Sequence, residues 1–344
     1  MALAPGFNRE EAIELLGLCA FVETGGPQQP IPDPRGNWDL LFDSPVMGSF
    51  DNKWQLWRKK GNGPFAIALR GTVGSTGSVV EDLISLMVTA VGSLTVGGAS
   101  CDYRFAADQK AGVHLGFALG TLLLRNDAAN GILVQLRNRV PAGSDVYITG
   151  HSQGAAMATL LRSSFQYDGG MPAGCSVKTY VYAQPKPGND HYAEDFESLF
   201  CDPPMAFRVT NTLDWVPEVP FTLQLPQDID APNPLTVYGS PSLLLTLIAK
   251  GISEIRLLIE HHTRSRLQPM AVAVAQAKPL PAAVAGGAAL LSIPFEADFM
   301  ASLDYVNAGD DRPLEGNPCA GTECQDSLFE HHATTYYRLL SGSA

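Results

Sequence analysis

The 344-residue sequence predicts an α/β fold with a mostly parallel central sheet and helices on both faces. Three observations carry this. Short apolar or β-branched runs alternate with stretches of helical period, as strand–helix–strand units require. One of these runs passes directly into a helix through Gly150-His151-Ser152-Gln153-Gly154. A hydrophobic content of 45% against 17% charged residues supplies a large core, which a disordered chain lacks.

Along the chain, Ile13, Leu15, Leu16, Leu18 and Cys19 fall at helical spacing within Arg9 to Val22, and Asn8 is placed to cap that helix. Trp54, Leu56 and Trp57 precede Lys59-Lys60-Gly61-Asn62-Gly63, a hairpin signal. Phe65 to Leu69 is a short apolar run that reads as a buried strand. Helical patterns follow from Gly112 through Leu124 and over Gly131 to Val140. Val146 to Thr149 is β-branched and aromatic, hence a strand, and Ala155 to Phe165 a helix. Val177 to Ala183 and Phe207 to Thr210 are further strands. Beyond Pro220 the pattern changes to Pro-rich loops, an apolar helix pair over Pro241 to Glu260, and Ala/Pro/Gly-rich sequence to Pro294. With no internal repeat, the chain reads as one domain over 1–344 with a long insertion at 221–300, whose apolar residues need burial.

Charge and cysteine content narrow the function. A formal net charge of −12 and the absence of any Lys/Arg cluster exclude nucleic acid as a partner. No apolar segment follows a basic start, and the longest nearly uncharged stretches carry Gly or Pro. Neither a signal peptide nor a spanning helix is expected, so the chain is read as soluble, cytoplasmic or secreted as a mature form. The six cysteines lack Cys-x-x-Cys spacing, so no zinc site is expected. Cys319–Cys324 and Cys175–Cys201 are conceivable bridges, with free buried thiols as the alternative.

The pentapeptide at 150–154 matches the nucleophile elbow, Gly-x-Ser-x-Gly. A turn this tight pushes the serine hydroxyl out above the sheet, and a side chain two residues to either side would collide with it. The preceding β-branched strand and the small Ala155-Ala156 opening the next helix supply the context such a turn needs. Ser152 is therefore a candidate nucleophile, and a hydroxyl nucleophile needs a base held by an acid. In chains with this elbow the order is Ser, acid, His, which leaves out His114 and His151. Asp214 stands just after the strand ending at Thr210, where loops at carboxyl ends of strands gather reactive groups. His261-His262 lies in a charged helix end, whereas His331-His332 lies before an aromatic closing helix, and either member of that second pair could serve as base.

Around the elbow, several segments resemble the class 3 (fungal-type) lipases of the α/β-hydrolase superfamily. Phe65-Ala66-Ile67-Ala68-Leu69-Arg70-Gly71-Thr72 resembles that family's strand ending in Arg-Gly-Thr/Ser. Val113-His114-Leu115-Gly116-Phe117 resembles its Val-His-x-Gly-Phe, and Ile148 to Ala155 its Thr-Gly-His-Ser-Leu-Gly-Gly. Tyr182 to Asn189 is similar to Phe-Gly-x-Pro-Arg-Val-Gly-Asn, and Asn211 to Pro217 to Asn-x-x-Asp-Pro-Val-Pro. The resemblance implies the α/β-hydrolase fold and a serine hydrolase with Ser152 as nucleophile, Asp214 as acid and His332 as base. His332 is preferred over His331 because the family's histidine is usually followed three or four residues on by tyrosine, here Tyr336. It implies an oxyanion hole built from the backbone N–H groups of Gln153 and Thr72, with the Thr72 hydroxyl as a further donor, and a structural role for Arg70 and His114.

Three departures accompany it. Gln153 stands where leucine is usual, Ala155 replaces the second Gly, and the stretch from Asp214 to His332 is long. The implied activity is hydrolysis of carboxylic esters, most simply acylglycerols or medium-to-long acyl esters, in solution or at an emulsion interface, with no metal or organic cofactor. A phospholipase A1, a feruloyl-type esterase, or a catalytically silent lipase-like binding protein are the alternatives. The apolar stretch Leu86 to Leu94, within residues 84–111, sits where that family places a lid, and Gly92, Gly97 and Gly98 would let it open. Leu243 to Ile248 in the insertion is a candidate second lid or cap element. The competing expectation is that both pack into an enlarged core.

Overall fold

The computed structural model describes residues 3–48, 51–70, 86–96, 98–222, 228, 254, 257, 264, 267–277, 294–319 and 325–343. Helix α1 (Arg9–Thr24) starts where Asn8 predicts: the Asn8 side-chain oxygen accepts from the backbone N–H groups of Glu10 and Glu11. It ends at Gly25, which takes the left-handed conformation that glycine adopts without cost. Strands β1 (Trp38–Asp43), β2 (Trp54–Lys59) and β3 (Phe65–Leu69) then form an antiparallel meander.

Farther on come β4 (Met87–Thr89), β5 (Val91–Val96), β6 (Ala99–Arg104) and β7 (Gly112–His114). Helices α2 (Leu115–Asn126) and α3 (Ile132–Arg139) lead to β8 (Asp145–His151) and α4 (Gln153–Tyr167). The second half holds β9 (Ser176–Tyr182), α5 (Asp190–Phe200), β10 (Ala206–Asn211), a helix α6 over 267–277, β11 (Phe295–Ala297), β12 (Asp310–Leu314) and the closing α7 (Ala333–Ser341).

The main sheet has the order β1-β2-β3-β8-β9-β10-β12, and β3 through β12 run parallel. Side-chain alternation divides the core in two. Phe65, Ile67 and Leu69 of β3, with Val146 and Ile148 of β8, join the larger cluster against α2 and α4. Ala66, Ala68 and Tyr147 join the other cluster, under α1 and α7, together with Tyr180, Tyr182, Phe207 and Val209. Both faces are covered, so the central strands read as continuous apolar runs in sequence.

Several expectations need adjustment. Gly112 to His114 is a strand paired with β4, and the helix begins only at Leu115. The backbone there is committed to strand contacts, with the His114 N–H donating to the Pro187 carbonyl. His114 then caps α2, its Nδ1 accepting from the Phe117 N–H, while Arg70 holds the Asp51 carbonyl. The described part of the candidate lid at 84–111 contains β4, β5 and β6, with β11 adding a third strand beside β5. Leu86, Met87, Val88, Leu94, Val96 and Cys101 are all buried there. From the insertion, Met270, Ala271 and Val274 of α6 also enter the larger core cluster. Leu243 to Ile248, most of Pro241 to Glu260, and His261-His262 lie outside the described residues. Cys175 and Cys201 are both free thiols, so they do not form the second bridge, and Cys319 is disulfide-bonded. Among the described residues no helix is long and apolar enough to cross a membrane, and no cluster of His, Cys, Asp and Glu could hold a metal ion.

Candidate active site

Three of the parallel strands, β8, β10 and β12, deliver the site. Ser152 follows β8 and Asp214 follows β10. The turn Phe329–His331 comes after β12, before α7. All three lie beyond carboxyl ends of strands, where an open α/β sheet gathers its reactive groups.

Ser152 has φ 58° and ψ −134°, a conformation that an L residue holds only under constraint. The constraint is visible on both sides. The Ser152 N–H donates to the Tyr182 carbonyl and its own carbonyl accepts from the Ala155 N–H, closing the turn. A Cβ on Gly150 would stand 2.1 Å from the Gly154 carbonyl oxygen, and one on Gly154 would stand 2.4 Å from that of Leu69. Both glycines are therefore steric necessities of strand, turn and helix at this separation.

His331 bridges serine and carboxylate. Its Nε2 lies 2.9 Å from the Ser152 hydroxyl and its Nδ1 2.9 Å from Asp214 Oδ2. An ionised carboxylate accepts only, so Nδ1 carries the hydrogen and Nε2 accepts from the hydroxyl. Asp214 is fully enclosed. Its Oδ1 accepts from the Val216 N–H at 3.0 Å and its Oδ2 accepts from the Tyr336 hydroxyl at 2.8 Å. Burial opposes ionisation of Asp214, but His331 and these donors outweigh it and hold the carboxyl below its ordinary value. For His331 burial is the larger influence, and it lowers the imidazole below 6.5 despite the opposing pull of Asp214.

His332 does not take the role that the resemblance implied. Its side chain is 48% exposed and bonds Asp326 at 2.7 Å, whereas that of His331 is 8% exposed. The reason is local. Phe329–His331 is a single 3₁₀ turn that directs its last residue inward, and His332 is the extended residue that starts α7 and faces away. Tyr336, the residue that favoured His332 by spacing, does touch the site, but through Asp214.

Two further residues tie the loop after β10 to the turn before α7. The Asn211 side-chain amide donates to the Glu330 carbonyl at 2.9 Å and to its carboxylate at 2.8 Å, while Trp215 Nε1 donates to the Ser327 carbonyl. Asn211 stands in the quoted Asn-x-x-Asp segment. Tyr336 carries no motif signal for its contact with Asp214, where its hydroxyl also accepts from the Asn211 N–H at the end of β10. Gln153 is the first residue of α4 and is buried, whereas Thr72 lies outside the described residues.

With a hydroxyl, a neutral imidazole and a carboxylate in line, the arrangement can shuttle a proton between Ser152 and a leaving group. Residues 66–224 match the family "Lipase (class 3)". Over that segment the chain is similar to class 3 lipases. That segment contains Ser152 and Asp214, while His331 lies beyond it. A 76-residue stretch is 34% identical to a lipase of Caenorhabditis elegans, spanning 22% of this chain and about a fifth of that relative's length. Among solved structures, M37 lipase superposes with a TM-score of 0.54 at 17% identity, covering 98% of this chain and 93% of that one. Lipase II of Rhizopus niveus gives a TM-score of 0.47 at 19% identity over 62% of this chain and 75% of that one. The fold is the α/β-hydrolase fold.

Proposed function

We propose that the protein hydrolyses carboxylic esters through Ser152, His331 and Asp214, with acylglycerols or other medium-to-long acyl esters as substrates. The observation that carries this reading is the pair of 2.9 Å contacts that place His331 between Ser152 and Asp214 at a strained elbow. Ser152 attacks the ester carbonyl as its proton passes to His331 Nε2. The tetrahedral intermediate collapses when that proton is returned to the departing alcohol, leaving an acyl-serine. Water, deprotonated by His331 in the same way, then releases the acid and restores the serine. Asp214 fixes the tautomer and offsets the imidazolium that forms transiently.

The backbone N–H of Gln153, at the start of α4, serves as one oxyanion donor, and Thr72 as the second by its place in the family pattern. Loss of one such donor costs roughly a hundred- to a thousandfold in turnover. No cofactor takes part in these steps. Rates on p-nitrophenyl esters of increasing acyl length, beside emulsified triacylglycerol, phosphatidylcholine and methyl ferulate, test the substrate assignment. The expected result is turnover that rises with acyl length and extends to triacylglycerol. Turnover confined to the phospholipid or the ferulate would replace the assignment, and inertness towards all of them would remove the activity.

A further inference from the structure

His151, the residue before Ser152, has both ring nitrogens engaged. Its Nδ1 lies 2.7 Å from Glu23 Oε1, at the end of α1, and its Nε2 lies 2.7 Å from the backbone carbonyl of His331. A carbonyl oxygen only accepts, and so does an ionised carboxylate. A neutral imidazole has one N–H and can satisfy one of them. Two contacts this short therefore need an extra proton within the pair.

We infer that Glu23 and His151 are positioning residues for His331: an imidazolium salt-bridged to Glu23 donates its second N–H to the His331 carbonyl, fixing the base-bearing turn and setting a cation beside the His331 ring. The two imidazole centroids are 4.7 Å apart, and Tyr336 closes on His151 edge-on at 5.9 Å. The inference rests on the triad reading given above. Glu23 lies outside residues 66–224, so the pair joins the first helix to the hydrolase site across 128 positions of sequence.

Electrostatics agree with that proton placement. Burial works against the charged form of His151, but Glu23, Asp214 and the His331 carbonyl outweigh it and raise the imidazole above its ordinary value. Burial likewise works against the Glu23 carboxylate, which His151 nonetheless holds below its ordinary value, with smaller help from His331 and His332. The charged and titratable groups facing the pair are Asp214 from the loop after β10, His331 and His332 from the turn before α7, and Arg70 at the end of β3, which feels the Glu23 charge. On the His331 ring itself, the His151 cation opposes protonation more strongly than Glu23 favours it. The consequence is a base kept neutral, and so available, to lower pH.

The test is the pH profile of kcat/KM on p-nitrophenyl butyrate for the full chain and for His151→Gln and Glu23→Gln. With the cation removed, the acid limb of both variants moves to higher pH, further in His151→Gln, where Glu23 remains charged. Their kcat falls on the order of ten- to a hundredfold with KM little changed, the scale of a lost hydrogen bond to a charged group. Glu23 is part-exposed, and Glu23→Gln keeps the hydrogen-bonding shape because its amide can donate to a neutral Nδ1. That variant reads out the inference even if His151→Gln fails to fold. A fall in kcat with an unmoved acid limb, or a limb moved to lower pH, would overturn the pair's role while leaving the triad intact. Wild-type protein that neither turns over the ester nor reacts with a fluorophosphonate at Ser152 would instead remove the triad reading, and this inference with it.

Discussion

Asp214 shows how a single buried carboxylate is made dependable. Three donors reach it, from His331, the Val216 backbone and Tyr336, and Tyr336 in turn accepts from the Asn211 N–H at 3.0 Å. Tyr336→Phe deletes a donor to the acid and leaves a buried backbone N–H unpaired. We expect turnover to fall about tenfold and unfolding free energy to drop by about 1–3 kcal/mol, the usual cost of an unmade buried hydrogen bond. Ester assays and denaturant melts on the one variant measure both.

His331 titrates below the ordinary histidine value of 6.5 because burial disfavours its charged form. The proposed base works when neutral, so the proposed activity should be retained as pH falls past 6.5 and be lost only below it. The acid limb of wild-type kcat/KM should therefore lie below pH 6.5. A limb at or above that value would mean that solvent reaches the ring.

At the scale of elements, the strands at 86–104 decide between lid and core. Leu94 on β5 is buried, opposite Cys101 of β6 and Ala297 of β11, inside the cluster that also holds α4. A strand with neighbours on both edges and its side chains in the main core is poorly suited to swinging open. Leu94→Ala should cost about 2–5 kcal/mol in thermal or chemical unfolding, as large-to-small changes in well-packed cores do. Deleting Leu86 to Leu94 should remove activity on soluble and emulsified esters alike, with a lower melting temperature. Selective loss on emulsified long-chain ester, at unchanged stability, would restore the lid.

Much of this level was legible in the sequence. β3 and β8 to β10 announce themselves by apolar runs, and the elbow by two glycines whose need is purely local. The choice within His331-His332 was not, since it depends on a 3₁₀ turn whose direction is set by Asn211 and Trp215 holding residues 327–330. Nor could spacing find Glu23 opposite His151, because their meeting follows from α1 packing across β8.

For the whole molecule, the site and the fold share the same carboxylates. Glu23 and Asp214 both titrate below their ordinary values of 4.5 and 3.8 when folded. Groups depressed in this way stabilise the native state at higher pH, and that contribution is lost as pH falls from 4.5 through the folded values. The melting temperature should drop in that window, and Glu23→Gln should flatten the upper part of the drop. A melting profile of identical slope in the variant would show that Glu23 is not coupled to folding.

The central claim is that Ser152 is activated by His331 rather than by its neighbour. Fluorophosphonate labelling followed by peptide mass spectrometry, on wild type, His331→Ala and His332→Ala, tests it most directly. The account predicts one adduct, on Ser152, formed at a comparable rate in wild type and His332→Ala and slowed by several orders of magnitude in His331→Ala. Rapid labelling of Ser152 in His331→Ala, together with its loss in His332→Ala, would contradict it.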